Sequence, residues 1–104
     1  ENIADLGGLA VAYRALERSI EGRPHPAPID GFTTEQRFFL AYAQVWRELV
    51  RPEMQRQWAA TDPHSPGHWR TNGPLSNLPE FARAFGCRAG DAMVRSDSVR
   101  VRIW

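Results

Sequence analysis

Eight prolines in 104 residues decide how this chain can be divided into helices. Proline fixes φ near −65° and has no N–H, so it ends or kinks a helix unless it sits in the first turn. Pro24, Pro26 and Pro28 fall within five positions and force an extended path, which makes residues 22–32 a connector. Pro52 ends or kinks the preceding helix after Arg51. Pro63 and Pro66 flank His64, and Pro74 follows the strong turn signal Asn72-Gly73, so residues 61–77 read as an ordered Pro-rich loop. Pro79 is the exception, since a first helical turn accepts it.

The stretches between these breaks carry helical periodicity. Ile3, Leu6, Leu9, Ala10, Tyr13, Leu16 and Ile20 follow the i, i+3, i+4, i+7 pattern and predict a helix over 1–21. Gly7-Gly8 interrupts it at about 1 kcal/mol per glycine against alanine. Such a pair implies either close approach of a backbone or ligand, or a local kink. Thr33 with Gln36 is a capping-box signature opening a helix to residue 51. Its stripe of Phe38, Phe39, Tyr42, Ala43, Val45, Trp46, Leu49 and Val50 reads as core. A shorter helix over 53–60 is expected to bury Met54 and Trp58. A last one over 78–86 turns Phe81, Ala84 and Phe85 inward and stops at Gly86. Residues 87–104 form the tail. There Val99, Val101 and Ile103 alternate with period two, predicting an extended strand docked on the body. The fold class is mainly α.

Charge and cysteine content narrow the function. Thirteen basic against twelve acidic residues, with no basic block, argue against a nucleic-acid footprint. No run approaches the roughly 18 apolar residues that a membrane span needs. Cys87 stands alone, so no intrachain disulfide forms, and it reads as an inert small hydrophobe in a reducing or bacterial setting. The chain opens on Glu1 in mid-helix pattern without a capping residue, which reads as a segment of something longer.

Two places suggest chemistry. Glu1 and Asp5 project from one helix face and repel unless a cation or donor takes them up; alternatively both simply complement the N-terminal dipole. His64 on its stiff loop and Arg70 six residues on can present hydrogen-bond donors toward a ligand, or be an ordinary surface turn with a solvated histidine. His25, between two prolines, reads as exposed and idle. A catalytic zinc needs three protein ligands, and no such set occurs at credible spacing. His64 and His68 are four apart, but Pro66 and Gly67 break the helix that would align them, and there is no His-Glu-x-x-His. The chain could donate at most one carboxylate ligand, Glu1, with Asp5 steering another ligand's imidazole.

Glu1-Asn2-Ile3-Ala4-Asp5-Leu6-Gly7-Gly8-Leu9 with Ala12-Tyr13 resembles the ExxxD stretch of neprilysin-family zinc metalloendopeptidases. Phe38-Phe39-Leu40-Ala41-Tyr42-Ala43-Gln44-Val45-Trp46, then Asp62-Pro63-His64-Ser65-Pro66-Gly67-His68-Trp69-Arg70, then Asn77-Leu78-Pro79-Glu80-Phe81 and the Ile103-Trp104 ending, are similar to later stretches of that family. The resemblance covers nearly the whole chain, in order. It implies the helical C-terminal portion of a gluzincin (thermolysin-like) catalytic domain, with residues 61–77 as active-site loop. By the same resemblance Glu1 matches a zinc ligand, Asp5 the carboxylate holding a zinc-binding histidine, His64 the histidine stabilising the tetrahedral intermediate, and Arg70 the arginine gripping the peptide.

The complete enzyme would then use one zinc ion to hydrolyse internal bonds of oligopeptides. The upstream part of the same enzyme would supply the His-Glu-x-x-His helix. The 104 residues alone are expected to be inactive and to self-associate through exposed apolar surface, including the helix face carrying Glu1 and Gly7-Gly8. A bacterial cytoplasmic or secreted protein fits the lone cysteine better than a membrane-anchored one. The alternative from another class is a metal-free helical interaction module, which requires Glu1 and Asp5 to be merely solvated.

Overall fold

A computed structural model describes residues 1–103. Its elements, in order, are α1 (Asn2–Ile20), α2 (Thr34–Val45), α3 (Pro52–Thr61), α4 (Gly67–Asn77) and α5 (Pro79–Phe85). The mainly α expectation holds, and among the described residues no helix is long and apolar enough to cross a membrane. α1 lies along α4, and α2 packs against α5 and α4. Leu9 and Tyr13 of α1, Phe39 of α2 and Leu75 of α4 are buried at the junction. Phe39, 1% exposed, stacks on Tyr13 with ring centroids 5.1 Å apart and meets Phe38 and Phe81 edge-on at 5.3 and 5.6 Å. Each such pair adds about 0.5–1.5 kcal/mol beyond the area it buries. Phe81, Ala84 and Phe85 pack on this cluster as their spacing requires.

Local signals were realised where packing agreed with them. Thr33 and Gln36 form the full capping box, and the Gln36 amide also donates to the Ala84 carbonyl at 2.9 Å, tying α2 to α5. Gly86 closes α5 in the left-handed region at φ 65°, which glycine adopts without strain. α1 runs unbroken through Gly7-Gly8. Gly7 is buried, whereas a side chain at Gly8 would meet nothing within 4 Å. The expected exposure of this face is therefore right for Gly8 and wrong for Gly7. Ile3 also departs from the pattern, at 72% exposed.

Three expectations about helix extent and burial need correction. α2 stops at Val45, not near 51, because Trp46 and Glu48 leave the helix to meet α4 and Arg51, before Pro52, takes ψ 145°. Val45 and Leu49 consequently face solvent, and every residue of α3 is exposed, with Met54 and Trp58 at 42% and 38%. Residues 61–77 are not all loop: 67–77 are helical despite Asn72-Gly73-Pro74. The carbonyl four residues before Pro74 belongs to Arg70, and Pro74 has no N–H to give it. The Tyr42 hydroxyl donates to that carbonyl instead, at 2.9 Å. Burying Pro74 and Leu75 against the core then outweighs the local turn preference.

The tail forms no strand among the described residues, and of the three residues expected to dock, Val99 and Val101 are more than half exposed while Ile103 is half-buried. At Val101 the backbone docks instead: its N–H donates to the buried Asn77 side chain at 2.9 Å, and its carbonyl accepts from the same amide. One asparagine thus substitutes for a ladder partner. Trp104 lies outside the described residues.

Candidate functional site

α1 begins with Glu1 as its N-cap residue, so Glu1 and Asp5 fall in or beside the first turn, four apart on one face. The first turn of α4 brings Arg70 across to them. Arg70 Nε donates to Asp5 Oδ2 at 2.7 Å and Nη2 to Asp5 Oδ1 at 2.8 Å, a bidentate pair, and Nη2 also reaches Glu1 Oε2 at 3.1 Å. Arg70 and Asp5 side chains are each only 12% exposed, whereas Glu1 is 55% exposed. The two carboxylates are therefore held by one guanidinium rather than left to repel, while also lying at the favourable helix end. The Asp5 hydrogen bonds are the main cause that raises the Arg70 pKa above its ordinary value.

The guanidinium is held on its flat side too. Arg70 Cζ sits 3.9 Å from the Trp46 ring centroid, a cation–π contact. Trp46 follows directly on α2, and Tyr42, one turn earlier, binds the Arg70 carbonyl. Burial, followed by the nearby Asp5 charge, pushes the Tyr42 phenol above its ordinary pKa, so it stays a donor.

His64 lies in the short loop before α4. Its backbone N–H and its Nδ1 both contact Asp62 Oδ1, at 2.9 and 2.8 Å. A backbone hydrogen bond from His64, then the side-chain one, holds the Asp62 carboxyl below its usual pKa. With Nδ1 bound to Asp62, Nε2 is the ring nitrogen left for a ligand. Beside it, Asn2 Nδ2 donates to Ser65 Oγ at 2.9 Å, which fastens the loop to the start of α1. α4 has no capping side chain of its own, and Glu48 Oε1 accepts from the Gly67 N–H at 2.9 Å instead.

Of the predicted site residues, Glu1, Asp5 and Arg70 are in direct contact. His64 is joined to them through the Asn2–Ser65 bond and the first turn of α4. His68 lies in α4 beside Asn72 and takes no part. His25 is exposed but not idle: its Nε2 pairs with Glu35 at 2.7 Å. Asp62, Tyr42, Trp46 and Glu48 were not singled out. Asp62 could have been, because an Asp two residues before a backbone N–H is the pattern of an Asx-turn. Tyr42 and Trp46 could not, since an aromatic stripe at helical spacing looks the same whether it serves core or site.

Comparisons with known proteins point to one family. Residues 1–101 match the model of Peptidase family M13. The chain is 46% identical over 95 residues to human endothelin-converting enzyme 1, covering 89% of this chain and 12% of that protein. It is 43% identical over 108 residues to neprilysin-1 of Caenorhabditis elegans, covering 100% of this chain and 14% of that protein. Its structure superposes on the Mycobacterium tuberculosis zinc metalloprotease Zmp1 in the open state with a TM-score of 0.91 at 44% identity, over 99% of this chain and 16% of that one. The chain thus spans about one-eighth of the length of the curated relatives it matches. A match from Glu1 to Val101, on a fold shared over 99% of the chain, places this chain in peptidase family M13, the neprilysin family.

Proposed function

We propose that these residues form the substrate-gripping side of the active site of a zinc-dependent endopeptidase that cuts internal bonds of oligopeptides. The observation that carries the reading is the Arg70 fork held by Asp5 and Glu1 on one turn of α1. It also removes the condition on which a metal-free interaction module rested, because Asp5 is not solvated.

Zinc is implied by the family, and this chain does not hold a complete site for it. Among the described residues no three His, Cys, Asp or Glu side chains are grouped to hold a metal. Glu1 fits as one ligand, exposed at the helix start, and the other ligands and the general base would come from the rest of the enzyme. When bound, zinc activates water and polarises the scissile carbonyl. The residues of this chain do the remainder. Asp5 fixes Arg70 and has lone pairs left to orient a ligand histidine. Arg70 uses Nε and Nη2 internally, so Nη1 faces the task of holding a peptide carbonyl. His64, aligned by Asp62, offers Nε2 to the negative charge that develops on the attacked carbonyl.

In the full-length enzyme, His64→Ala and Arg70→Ala are each expected to lower peptide cleavage about 100- to 1,000-fold with zinc content by metal analysis unchanged. Glu1→Gln is expected to lower zinc content itself. Unchanged cleavage in the first two variants would remove both residues from the mechanism.

A further inference from the structure

Arg70 is gripped from two directions by the end of α2 and the residue that follows it: Trp46 under its guanidinium and Tyr42 at its carbonyl. The second contact exists because of Pro74. In an unbroken helix the Arg70 carbonyl would accept from the N–H of residue 74, and proline has none. That carbonyl lies in a part-buried position, where an unmet acceptor is costly. The Tyr42 hydroxyl, 2.9 Å away, meets it and fixes the backbone at the residue whose side chain bonds from α4 to Asp5 of α1.

We propose that Tyr42 is a positioning residue for peptide binding: its hydroxyl replaces the hydrogen bond that Pro74 cannot make and thereby sets the Arg70 backbone so that the guanidinium meets Asp5 and the substrate together. This rests on the reading of Arg70 as the peptide-gripping residue. The hydroxyl touches no substrate and acts only through Arg70. Burial raises the phenol's pKa further, which favours the protonated, donating form. The Trp46 ring, four residues further along the chain, limits Arg70 in the perpendicular direction. Losing the hydroxyl would therefore let the helix turn drift along α2 without freeing the guanidinium from Trp46.

The test is Tyr42→Phe in the full-length enzyme, made both with Pro74 and in a Pro74→Ala background that restores the missing N–H. Steady-state cleavage of an oligopeptide gives KM and kcat, metal analysis gives zinc content, and thermal melting reports folding. With Pro74 present, Tyr42→Phe is expected to raise KM about 3- to 10-fold with kcat and zinc content little changed. In the Pro74→Ala background the same substitution is expected to change KM less than about twofold, because the backbone N–H then meets the carbonyl. An equal effect in both backgrounds would overturn the proposal, since the hydroxyl would then matter for some reason other than the carbonyl. So would a melting-temperature loss with unchanged KM, which marks a merely structural contact. Arg70→Ala serves as the reference. If it leaves KM unaltered, the reading of Arg70 fails and this inference with it. If it raises KM while Tyr42→Phe does not, only the role of Tyr42 is lost.

Discussion

The start of α4 offers a direct trial of how Arg70 is placed, through one substitution made at two glycines of the same helix. A Cβ added at Gly67 would lie 2.7 Å from the Trp46 carbonyl oxygen and 2.9 Å from Glu48 Oε1. The Glu48 carboxylate can swing aside, at the loss of a helix-capping bond worth about 1 kcal/mol. The Trp46 carbonyl is backbone and can retreat only with the ring that lies under Arg70. Overpacking of this kind costs about 1–3 kcal/mol. Alanine recovers at most about 1 kcal/mol of helix propensity, and less at the first helical position. The clash wins, and Gly67→Ala should destabilise by about 1–2 kcal/mol while raising KM for peptide. At Gly73 an added Cβ meets nothing within 4 Å beyond its chain neighbours, but the ring of Pro74 that follows crowds a Cβ on a helical residue and opposes the gain in helix propensity. Gly73→Ala should change stability by less than about 1 kcal/mol with kinetics unchanged. Urea unfolding and steady-state cleavage of the two full-length variants measure both quantities. If Gly67→Ala matches wild type in stability and KM, α4 is not held against Trp46 and Glu48 as described.

Two other outcomes follow from the structure. The His25–Glu35 contact, chiefly its hydrogen bond, raises the His25 pKa above the ordinary 6.5. Its stabilising effect is therefore complete below pH 6.5 and fades as pH rises through the higher folded value, and the NMR midpoint of His25 should fall toward 6.5 in Glu35→Gln. The isolated 104 residues leave Val45, Leu49, Met54, Trp58 and Trp69 exposed, and should show no peptidase activity and concentration-dependent association by light scattering; a monodisperse monomer would contradict the second expectation.

Where a local rule agreed with the packing, the sequence was a sufficient guide. The capping box at Thr33 and Gln36, the left-handed stop at Gly86 and the inward face of α5 all follow from residues within one turn of each other. The failures share a cause. Asn72-Gly73-Pro74 is a loop by every local preference, yet a distant tyrosine supplies the hydrogen bond that lets the helix pass through it. Trp46 and Leu49 look like the continuation of a core stripe, but only the first finds a partner, and that partner is a guanidinium. The four candidate site residues could be named from the family resemblance, and three of them meet directly. The side chains that hold them could not, because Tyr42, Trp46 and Glu48 act on residues at least 19 positions away.

The Gly67 junction also limits how lengths can vary here. Ser65 is fastened to Asn2 and Gly67 to Glu48, so the entry to α4 is anchored on both sides of Pro66. Any residue inserted or deleted between Gly67 and Arg70 must then be absorbed by the helix, which turns about 100° per residue. A single such change would swing the guanidinium off Asp5 and out over a different side of α4. Substitutions at these few positions are therefore easier to accommodate than changes in their number.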